Sequence, residues 1–383
     1  MENNVKKFML INNDALSALK DIPDNTFHTV ITSPPYFQLR NYFNPEQIGQ
    51  ESSPEEFVSN LVEICDEIKR VLRKDGSFWL NIGDSYNNNA GFCRGKEDWK
   101  RKGREKGSGD KKSFKHPVIK QKDLIGIPWK LAFALQKAGW YLRCDIIWQK
   151  ENVLPDGAKD RPTREHEYIF LLTKSAKYFY DYYAGLEDTN EQPGGIQSFG
   201  AKDQKGTYRM DQNRTFEHYG KRNKRSVWRT PVASFKGGHF ATFSQKLIDP
   251  CVCMSTSEKG CCVDCGTPWE RKFEKKKIKI TKEYSKNYSE NLDVFSGMEV
   301  DQYQLKLVEN GWEKNCDCKT DKTKPCLVLD PFSGMATTGL SAFKYNQSYV
   351  GIELNPDYLD MSTKRLKDGA GNDILEIKDI KEL

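Results

Sequence analysis

The spacing of apolar residues in the first third of the chain predicts helices and strands in alternation. Across 54–72, apolar side chains recur at intervals of three and four residues, which is typical of a helix with one buried face. The β-branched run Phe27–Thr32 and the run Ser77–Ile82, which follows the turn Asp75-Gly76, are typical of strands. Strands that alternate with helices in this way predict a parallel sheet with crossover helices.

The same alternation returns in the later parts of the chain. A predicted helix, Pro128–Ala138, precedes two predicted strands, Tyr141–Trp148 and Glu167–Leu172. The block Cys326–Lys367 is again strand, helix, strand, helix. We therefore expect a single α/β domain assembled from residues 1–184, 226–260 and 319–383, in preference to two or three independent folds.

Three polar segments interrupt this domain. Residues 87–122 form the first, and between Arg94 and Lys115 they hold ten Lys or Arg against four Asp or Glu. So few apolar residues cannot build a core, which predicts a basic mobile loop that is either simply solvated or becomes ordered against phosphates. Residues 185–225 are polar and rich in Gly, and residues 261–318 are rich in Cys and Lys.

Composition excludes several classes of protein. The chain has 383 residues, of which 37% are hydrophobic, and a formal net charge of +6. No run approaches the roughly 20 apolar residues of a membrane span, and the start of the chain lacks the apolar region of an export signal. We therefore expect a cytoplasmic protein without a membrane partner.

The eleven cysteines predict a metal site more readily than disulfides, because nothing indicates export. Cys262 and Cys265 form a C-x2-C pair, and Cys316 and Cys318 follow about fifty residues later. Two close pairs of thiolates suit a structural Zn²⁺ ion, although the second pair is one residue tighter than usual. The alternative is a set of reduced thiols on a basic insertion.

Three further cysteines are candidates to replace one of these four zinc ligands. Cys253 and Cys261 are open alternatives, whereas Cys251 lies in an apolar stretch and is expected to be part of the core.

A glycine-containing loop follows the predicted strand Leu327–Leu329. It reads Asp330-Pro331-Phe332-Ser333-Gly334-Met335-Ala336-Thr337-Thr338-Gly339, and the next strand ends at Glu353, nineteen residues after Gly334. A glycine loop between strand and helix allows a ligand to approach the backbone. An acidic residue at the end of the next strand can accept hydrogen bonds from ribose hydroxyls. The loop lacks G-x-G-x-x-G and the lysine of a P-loop. It therefore predicts an adenosyl ligand without a pyrophosphate.

The strand Phe27–Thr32 ends at a second chemical motif, Ser33-Pro34-Pro35-Tyr36. Consecutive prolines fix φ and carry no N–H, so nearby carbonyl groups point in set directions as acceptors. The Ser33 hydroxyl and such a carbonyl can both accept from an exocyclic amino group, and Tyr36 offers an aromatic face to a flat base. A tight turn at a strand end is the alternative.

Together these motifs resemble the S-adenosylmethionine-dependent DNA amino-methyltransferases of the beta group. In that group a Ser/Asp-Pro-Pro-Tyr motif precedes the cofactor motif, as it does here. The similarity also covers Lys69–Asp84, Leu124–Asp181, Lys221–Trp228 and Gly238–Cys251. It implies a Rossmann-like class I methyltransferase sheet with helices on both faces, a circularly permuted order of motifs, and insertions for DNA recognition and for a zinc ribbon.

The resemblance also implies which residues form the site. Ser33, Pro34, Pro35 and Tyr36 would be catalytic, with Phe37 also stacking on the base. The residues implied in binding S-adenosylmethionine are Asp14, Thr32, Phe243, Ser244, Asp330, Phe332, Gly334, Thr337, Thr338 and Glu353. Many relatives carry a second glycine where this chain has Ala336. The implied zinc ligands are Cys262, Cys265, Cys316 and Cys318.

The implied reaction is direct attack by a base amino nitrogen on the sulfonium methyl group, with the base flipped out of duplex DNA. Ser33 in place of Asp favours N4 of cytosine, and N6 of adenine is the alternative. A different class of function is a zinc-ribbon nucleic-acid-binding protein with an idle methyltransferase fold, which the intact Ser33–Tyr36 argues against.

Double-stranded DNA is the expected partner of the basic segments, since phosphate contacts supply affinity without sequence information. Residues 185–225 are the predicted target-recognition region. Arg222, Arg225 and Trp228 are candidates for DNA contact, although they could equally serve the shared fold. We expect a monomer or dimer that is either the modification partner of a restriction endonuclease or a solitary enzyme encoded by a prokaryote or phage.

Overall fold

A computed structural model describes residues 6–39, 44, 46–87, 115–153, 157–188, 221–232, 243–279, 303–370 and 374–382. Helices α1 to α6 span Ala15–Lys20, Pro54–Val71, Ile127–Lys137, Gln245–Ser255, Thr337–Lys344 and Pro356–Ala370. Strands β1 to β15 span Lys6–Asn12, Phe27–Thr32, Leu72–Ile82, Tyr141–Lys150, His166–Thr173, Glu187–Asp188, Lys221–Arg222, Val227–Thr230, Cys261–Cys262, Glu270–Lys279, Tyr303–Glu313, Thr323–Lys324, Leu327–Asp330, Ser348–Glu353 and Ile374–Glu376.

Nine of these strands form one sheet, in the order β15-β1-β14-β13-β2-β3-β5-β4-β8. The six strands from β15 to β3 pair in parallel. Strand β5 then runs antiparallel to both of its neighbours, β3 and β4. The sheet is therefore mostly parallel, as the alternation of strands and helices predicted.

Helices cover both faces of this sheet, which confirms the predicted layering. On one face, Leu19, Leu61 and Leu131 bring α1, α2 and α3 into a single core cluster. On the other face, the second core cluster contains Leu247 and Leu366, and it joins α4, α5 and α6. The central parallel strands are buried from both sides, which explains why Phe27–Thr32 has no exposed residue.

Predicted and observed elements agree within two residues at their ends, except that β3 begins at Leu72 instead of Ser77. The strand continues through the predicted turn because its pairing with β2 shifts register between Phe27 and Thr29. Within the described residues, no helix combines the length and apolarity needed to cross a bilayer.

Two small antiparallel ladders form at the insertion predicted at 261–318, and one of them includes a strand just beyond it, at Thr323–Lys324. Strands β9 and β12 form one, and the longer β10 and β11 form the other. Arg271 at the base of β10 makes ion pairs with Asp181, Glu258 and Glu309, at 2.8, 2.5 and 3.0 Å. Through its ion pair with Asp181, this largely buried arginine connects the longer ladder to the main domain.

Candidate active site

A cavity of about 550 Å³ opens at the carboxyl edge of the sheet, where ligands bind in open α/β folds. Ten of the residues predicted for the site line it: Asp14, Ser33, Pro34, Pro35, Tyr36, Phe243, Phe332, Gly334, Thr337 and Glu353. They meet because β1, β14, β13 and β2 are parallel neighbours, so that their following loops converge.

The glycine loop after β13 has a left-handed backbone at two positions. Gly334 has φ of 48° and Ala336 has φ of 52°. An L-residue in this region costs roughly 1–2 kcal/mol relative to the right-handed form, whereas glycine avoids the cost. The backbone conformation therefore explains why glycine suits position 336 in relatives, and it shows that Ala336 is still accommodated here.

Glu353 and Asp14 present carboxylates beside this loop. Glu353 accepts hydrogen bonds from the backbone N–H of Gly334 and of Asn355, each at 2.8 Å. Burial raises the pKa of Glu353 above its usual value, and those two N–H donors act in the opposite direction. Asp14 is the N-cap of α1 and accepts from the Ser17 N–H at 2.9 Å. Both acids are thus fixed before any ligand binds.

Three residues predicted to bind the cofactor lie behind the loop instead of on the cavity wall. Asp330 accepts from the hydroxyls of Thr32 and Thr338, at 2.6 and 2.7 Å, and all three are buried. Burial raises the pKa of Asp330 to about 6, although these hydrogen bonds lower it in part. A buried carboxylate with two hydroxyl donors supports the loop, and a role of these three residues in cofactor binding stays a prediction.

Phe243 and Ser244, predicted for the methionine end of the cofactor, have different positions. Phe243 lines the cavity, whereas Ser244 is the buried N-cap residue of α4. Among the described residues, the Ser244 hydroxyl has no hydrogen-bond partner. Ser244 thus lies at a helix terminus beside the cavity residue Phe243, and its contact with the cofactor stays a prediction.

The motif Ser33–Tyr36 begins where β2 ends and lines the same cavity as Glu353. The Tyr36 hydroxyl donates to Glu167 Oε2 at 2.6 Å and accepts from Asn81 Nδ2 at 2.8 Å. Burial raises the pKa of Tyr36 well above its usual value, and the Glu167 carboxylate raises it further. The phenol is therefore a neutral hydrogen-bond donor.

Glu167 forms an ion pair with Lys150, and both residues line the cavity together with Asn81. None of these three residues was predicted from the sequence. Only Glu167 belongs to a segment that resembles relatives, His166-Glu167-Tyr168. Asn81 and Lys150 lie at or next to the end of a strand and belong to no motif. The structure brings them to Tyr36 because β3, β5 and β4 are adjacent.

Phe37, expected to stack on a base, lies in the core instead. It is 1% exposed, and its ring centre is 5.5 Å from that of Phe57 on α2. This leaves Tyr36 as the aromatic side chain of the motif that lines the cavity.

Gly83 gives a direct test of how tightly Tyr36 is held. A Cβ atom at this buried position would lie 2.5 Å from Tyr36 Cε2, and the hydroxyl bonds prevent the ring from moving freely. We expect Gly83→Ala to lower kcat about 10- to 100-fold, because small displacements at a reacting centre are costly. Gly157→Ala is the control, since no atom lies within 4 Å of its added methyl group. Steady-state methyl-transfer rates measure both, and equal rates would contradict the packing argument.

The four predicted zinc ligands come together. The sulfur atoms of Cys262, Cys265, Cys316 and Cys318 all lie within 4.8 Å of one another. The turn that carries Cys262 and Cys265 contacts the main sheet, since Arg73 on β3 donates to the Cys265 carbonyl at 3.0 Å. Four clustered thiols in two short loops provide a donor set that suits a tetrahedral Zn²⁺ ion.

Two of the candidate substitute ligands, Cys251 and Cys261, lie outside this cluster. Cys251 is fully buried on α4, as expected for a core residue. Cys261 lies in a separate buried cluster with His28 and Cys326. The His28 ring is already engaged there, because Nδ1 accepts the Leu327 N–H at 2.9 Å and Nε2 is 2.8 Å from the Gly266 carbonyl.

The candidates for DNA contact separate into core and surface. Trp228 is 6% exposed, its indole N–H donates to the Arg225 carbonyl at 2.7 Å, and its ring packs beside Trp79. Of the two roles left open for Trp228, this position favours the one in the core of the sheet over DNA contact. Arg222 pairs with Glu187 at 2.9 Å, and Arg225 is exposed on the same segment.

Large parts of the predicted basic and recognition segments lie outside the described residues, namely 88–114, 189–220 and 280–302. Their anchoring points are described. Strands β6 and β7 pair through Glu187 with Arg222 and Asp188 with Lys221. The segment 189–220 therefore starts and ends at one place on the domain.

Comparison with known proteins agrees with this geometry. The sequence profile of the N6/N4-type DNA methylase family matches residues 27–265. The Type II methyltransferase M.Cfr9I of Citrobacter freundii is 36% identical over 378 residues, covering 96% of this chain and 90% of that protein. M.XycI of Xanthomonas campestris pv. cyanopsidis is 36% identical over 369 residues, with the same two coverages of 96% and 90%.

Among solved structures, the PvuII cytosine-N4-specific DNA methyltransferase has the same fold. It aligns with a TM-score of 0.52 at 15% identity, covering 96% of this chain and 89% of that one. Fold, profile and full-length relatives agree. The chain therefore belongs to the DNA methylases of the N6/N4 type, the S-adenosylmethionine-dependent enzymes that methylate exocyclic amino nitrogens of DNA bases.

Proposed function

We propose that this methyltransferase transfers a methyl group from S-adenosylmethionine to N4 of a cytosine flipped out of duplex DNA. One observation carries the proposal: Ser33–Tyr36 and the loop around Gly334 follow neighbouring strands and form two walls of the same cavity. A base that contacts the first wall would have its amino group next to a methyl donor held by the second.

The second wall fits S-adenosylmethionine by the chemistry of its residues. Phe332 offers an apolar surface to the adenine ring, and Asp14 an acceptor for its amino group. The Glu353 carboxylate keeps unused lone pairs that can accept ribose hydroxyls. When bound, the cofactor supplies an electrophilic methyl group on a sulfonium ion.

The first wall supplies the acceptors for the reacting amino group. Its nitrogen is a weak nucleophile because the lone pair is delocalised into the ring. Ser33 Oγ and the Pro34 carbonyl would accept its two protons, which favours a pyramidal nitrogen and offsets the positive charge that develops there. Tyr36 would stack on the base, and the walls would hold nitrogen and methyl group in line.

Cytosine is favoured over adenine by Ser33, since many adenine-specific relatives have Asp at this position. Methyl transfer to unmethylated duplex DNA, measured with tritiated cofactor, tests the proposal. Incorporation that depends on Ser33 would support it, and incorporation into adenine would favour the N6 reading. DNA binding without incorporation would favour the idle zinc-ribbon protein.

We also propose a permuted order of motifs within the domain formed by 1–184, 226–260 and 319–383. Strand β2 precedes β13 by most of the chain, yet the two are neighbours in the sheet. The motif Ser33–Tyr36 thus comes first in sequence and the glycine loop last, although they share one cavity.

For DNA binding, we propose that residues 185–225 select the target sequence and that 87–122 contacts the backbone. The pairing of β6 with β7 supports this by bringing the two ends of the recognition region together on the domain. Relatives named as Type II methyltransferases support a cytoplasmic partner of a restriction endonuclease, and a solitary modification enzyme is the alternative.

A structural zinc ion in the cysteine cluster is a further part of the proposal. We expect elemental analysis to find about one zinc per chain, and Cys262→Ser and Cys316→Ser each to lower that content, because each removes a thiolate ligand. Cys65→Ser is a matched control, since Cys65 is buried on α2 away from the cluster. Absence of metal from the purified wild-type protein would refute the site.

A further inference from the structure

A chain of hydrogen bonds leads from the proposed catalytic serine to a buried ion pair. Ser33 Oγ is 3.4 Å from the Tyr36 hydroxyl, which is 2.6 Å from Glu167 Oε2. The other oxygen of Glu167 accepts from Lys150 Nζ. The side chains of Glu167 and Lys150 are only 13% and 23% exposed, so the pair is largely shielded from water.

The donors around this chain fix its direction. Asn81 Nδ2 lies 3.2 Å from Ser33 Oγ, 2.8 Å from the Tyr36 hydroxyl and 3.2 Å from Glu167 Oε2. Amide and ammonium nitrogens only donate and a carboxylate only accepts, so Tyr36 has to donate to Glu167, and the two hydrogens of Asn81 are shared among the three oxygens that it faces. The lone pairs of Tyr36 then receive the hydrogens of Asn81 and Ser33.

These hydrogen bonds leave Ser33 Oγ with one free lone pair. Its hydroxyl hydrogen is given to Tyr36, one lone pair receives Asn81, and the second lone pair is the remaining acceptor on a cavity-lining atom. A serine arranged in this way can accept a hydrogen from an amino group, but it cannot donate one to it.

Building on the proposed function, we propose that Ser33, Tyr36 and Glu167 form a proton relay, and that Glu167, held by Lys150, receives the proton that the methylated amino group must lose. The amino nitrogen forms a bond to the methyl carbon while the carbon–sulfur bond breaks and its electron pair stays on sulfur. The nitrogen, now positive, gives one proton to Ser33 Oγ. Ser33 passes its own proton to Tyr36, and Tyr36 passes its proton to Glu167 Oε2.

The products balance. A neutral methylamino group, a neutral thioether and a protonated Glu167 remain, and Glu167 returns its proton to solvent when the products leave. Lys150 stays charged throughout and holds Glu167 against Tyr36. In this scheme Ser33 touches the substrate, whereas Glu167 and Lys150 act through other side chains.

Single-turnover methyl transfer to duplex DNA tests the relay with Tyr36→Phe, Glu167→Gln and the double variant. We expect each single change to lower the rate about 10²-fold, as for the loss of a proton acceptor. We expect the double variant to lose no more than either single one, because the changes interrupt one pathway. The dissociation constants for S-adenosylmethionine and DNA should stay within twofold of wild type.

Glu165→Gln is the matched control, because Glu165 is exposed and lies two residues away on the same segment. A wild-type rate in Glu167→Gln, or losses that multiply in the double variant, would overturn the relay while leaving the proposed function intact. Failure of the wild-type protein to methylate DNA would overturn both. Tyr36→Phe removes a single atom from the relay, so it preserves the test if Glu167→Gln does not fold.

Discussion

Replacing Ser33 by alanine is expected to abolish most methyl transfer while leaving cofactor binding intact. Ser33 Oγ lines the cavity together with the glycine loop, and the Tyr36 hydroxyl is already engaged as donor to Glu167 and acceptor from Asn81. Without the Ser33 acceptor, the charge that develops on the amino nitrogen is not offset. Losses of roughly 10²- to 10³-fold in kcat follow the removal of one such electrostatic contact.

Binding and rate measurements separate this effect from unfolding. Calorimetric titration with S-adenosylmethionine should give the same affinity for Ser33→Ala as for wild type, since Glu353 and Gly334 are unchanged. Ser59→Ala removes the same hydroxyl from the exposed face of α2 and should leave both quantities unaltered. Full turnover by Ser33→Ala would remove Ser33 from the mechanism.

Replacing Glu353 by glutamine is expected to act on the other wall, weakening the cofactor affinity about 10- to 100-fold. Both carboxylate oxygens accept backbone N–H groups, from Gly334 and from Asn355, and an amide can keep only one of these bonds. The change also removes a charged acceptor for ribose hydroxyls, and each charge-assisted hydrogen bond contributes about 1.5–3 kcal/mol.

Asp357→Asn makes the same carboxylate-to-amide change four residues away, at an exposed position in the first turn of α6. Its cofactor affinity should equal that of wild type, as measured by the same titration. Equal affinities in Glu353→Gln and wild type would contradict the assignment of Glu353 to the ribose. The two walls would then need a different division of roles.

Much of the fold could be predicted because hydrophobic spacing reports burial directly. Helix α2 and strands β2 and β14 were found with near-correct ends, since one or both faces of each are buried. The long strand β10 was missed because Lys and Glu dominate its sequence and hide the alternation typical of strands, and in its partner β11 the turn-forming pair Asn310-Gly311 interrupts the pattern. Their position depends on Arg271, whose partners are distant in sequence.

The residues of the candidate site were likewise predicted only in part. Ser33 and Gly334 were found because their motifs are contiguous, and spacing also indicated Glu353. Asn81, Lys150 and Glu167 were not found, because they meet only through the antiparallel strand β5 between β3 and β4. The role of Trp228 stayed open between two alternatives, because an aromatic residue beside arginines is equally typical of a DNA surface and of a sheet core.

Nucleoside mass spectrometry of methylated DNA tests the central claim most directly. Duplex DNA incubated with the protein and S-adenosylmethionine would be digested to nucleosides and compared with DNA incubated with Ser33→Ala. We predict N4-methylcytosine in the first sample and essentially none in the second. N6-methyladenine in place of N4-methylcytosine, or no methylated nucleoside at all, would contradict the account.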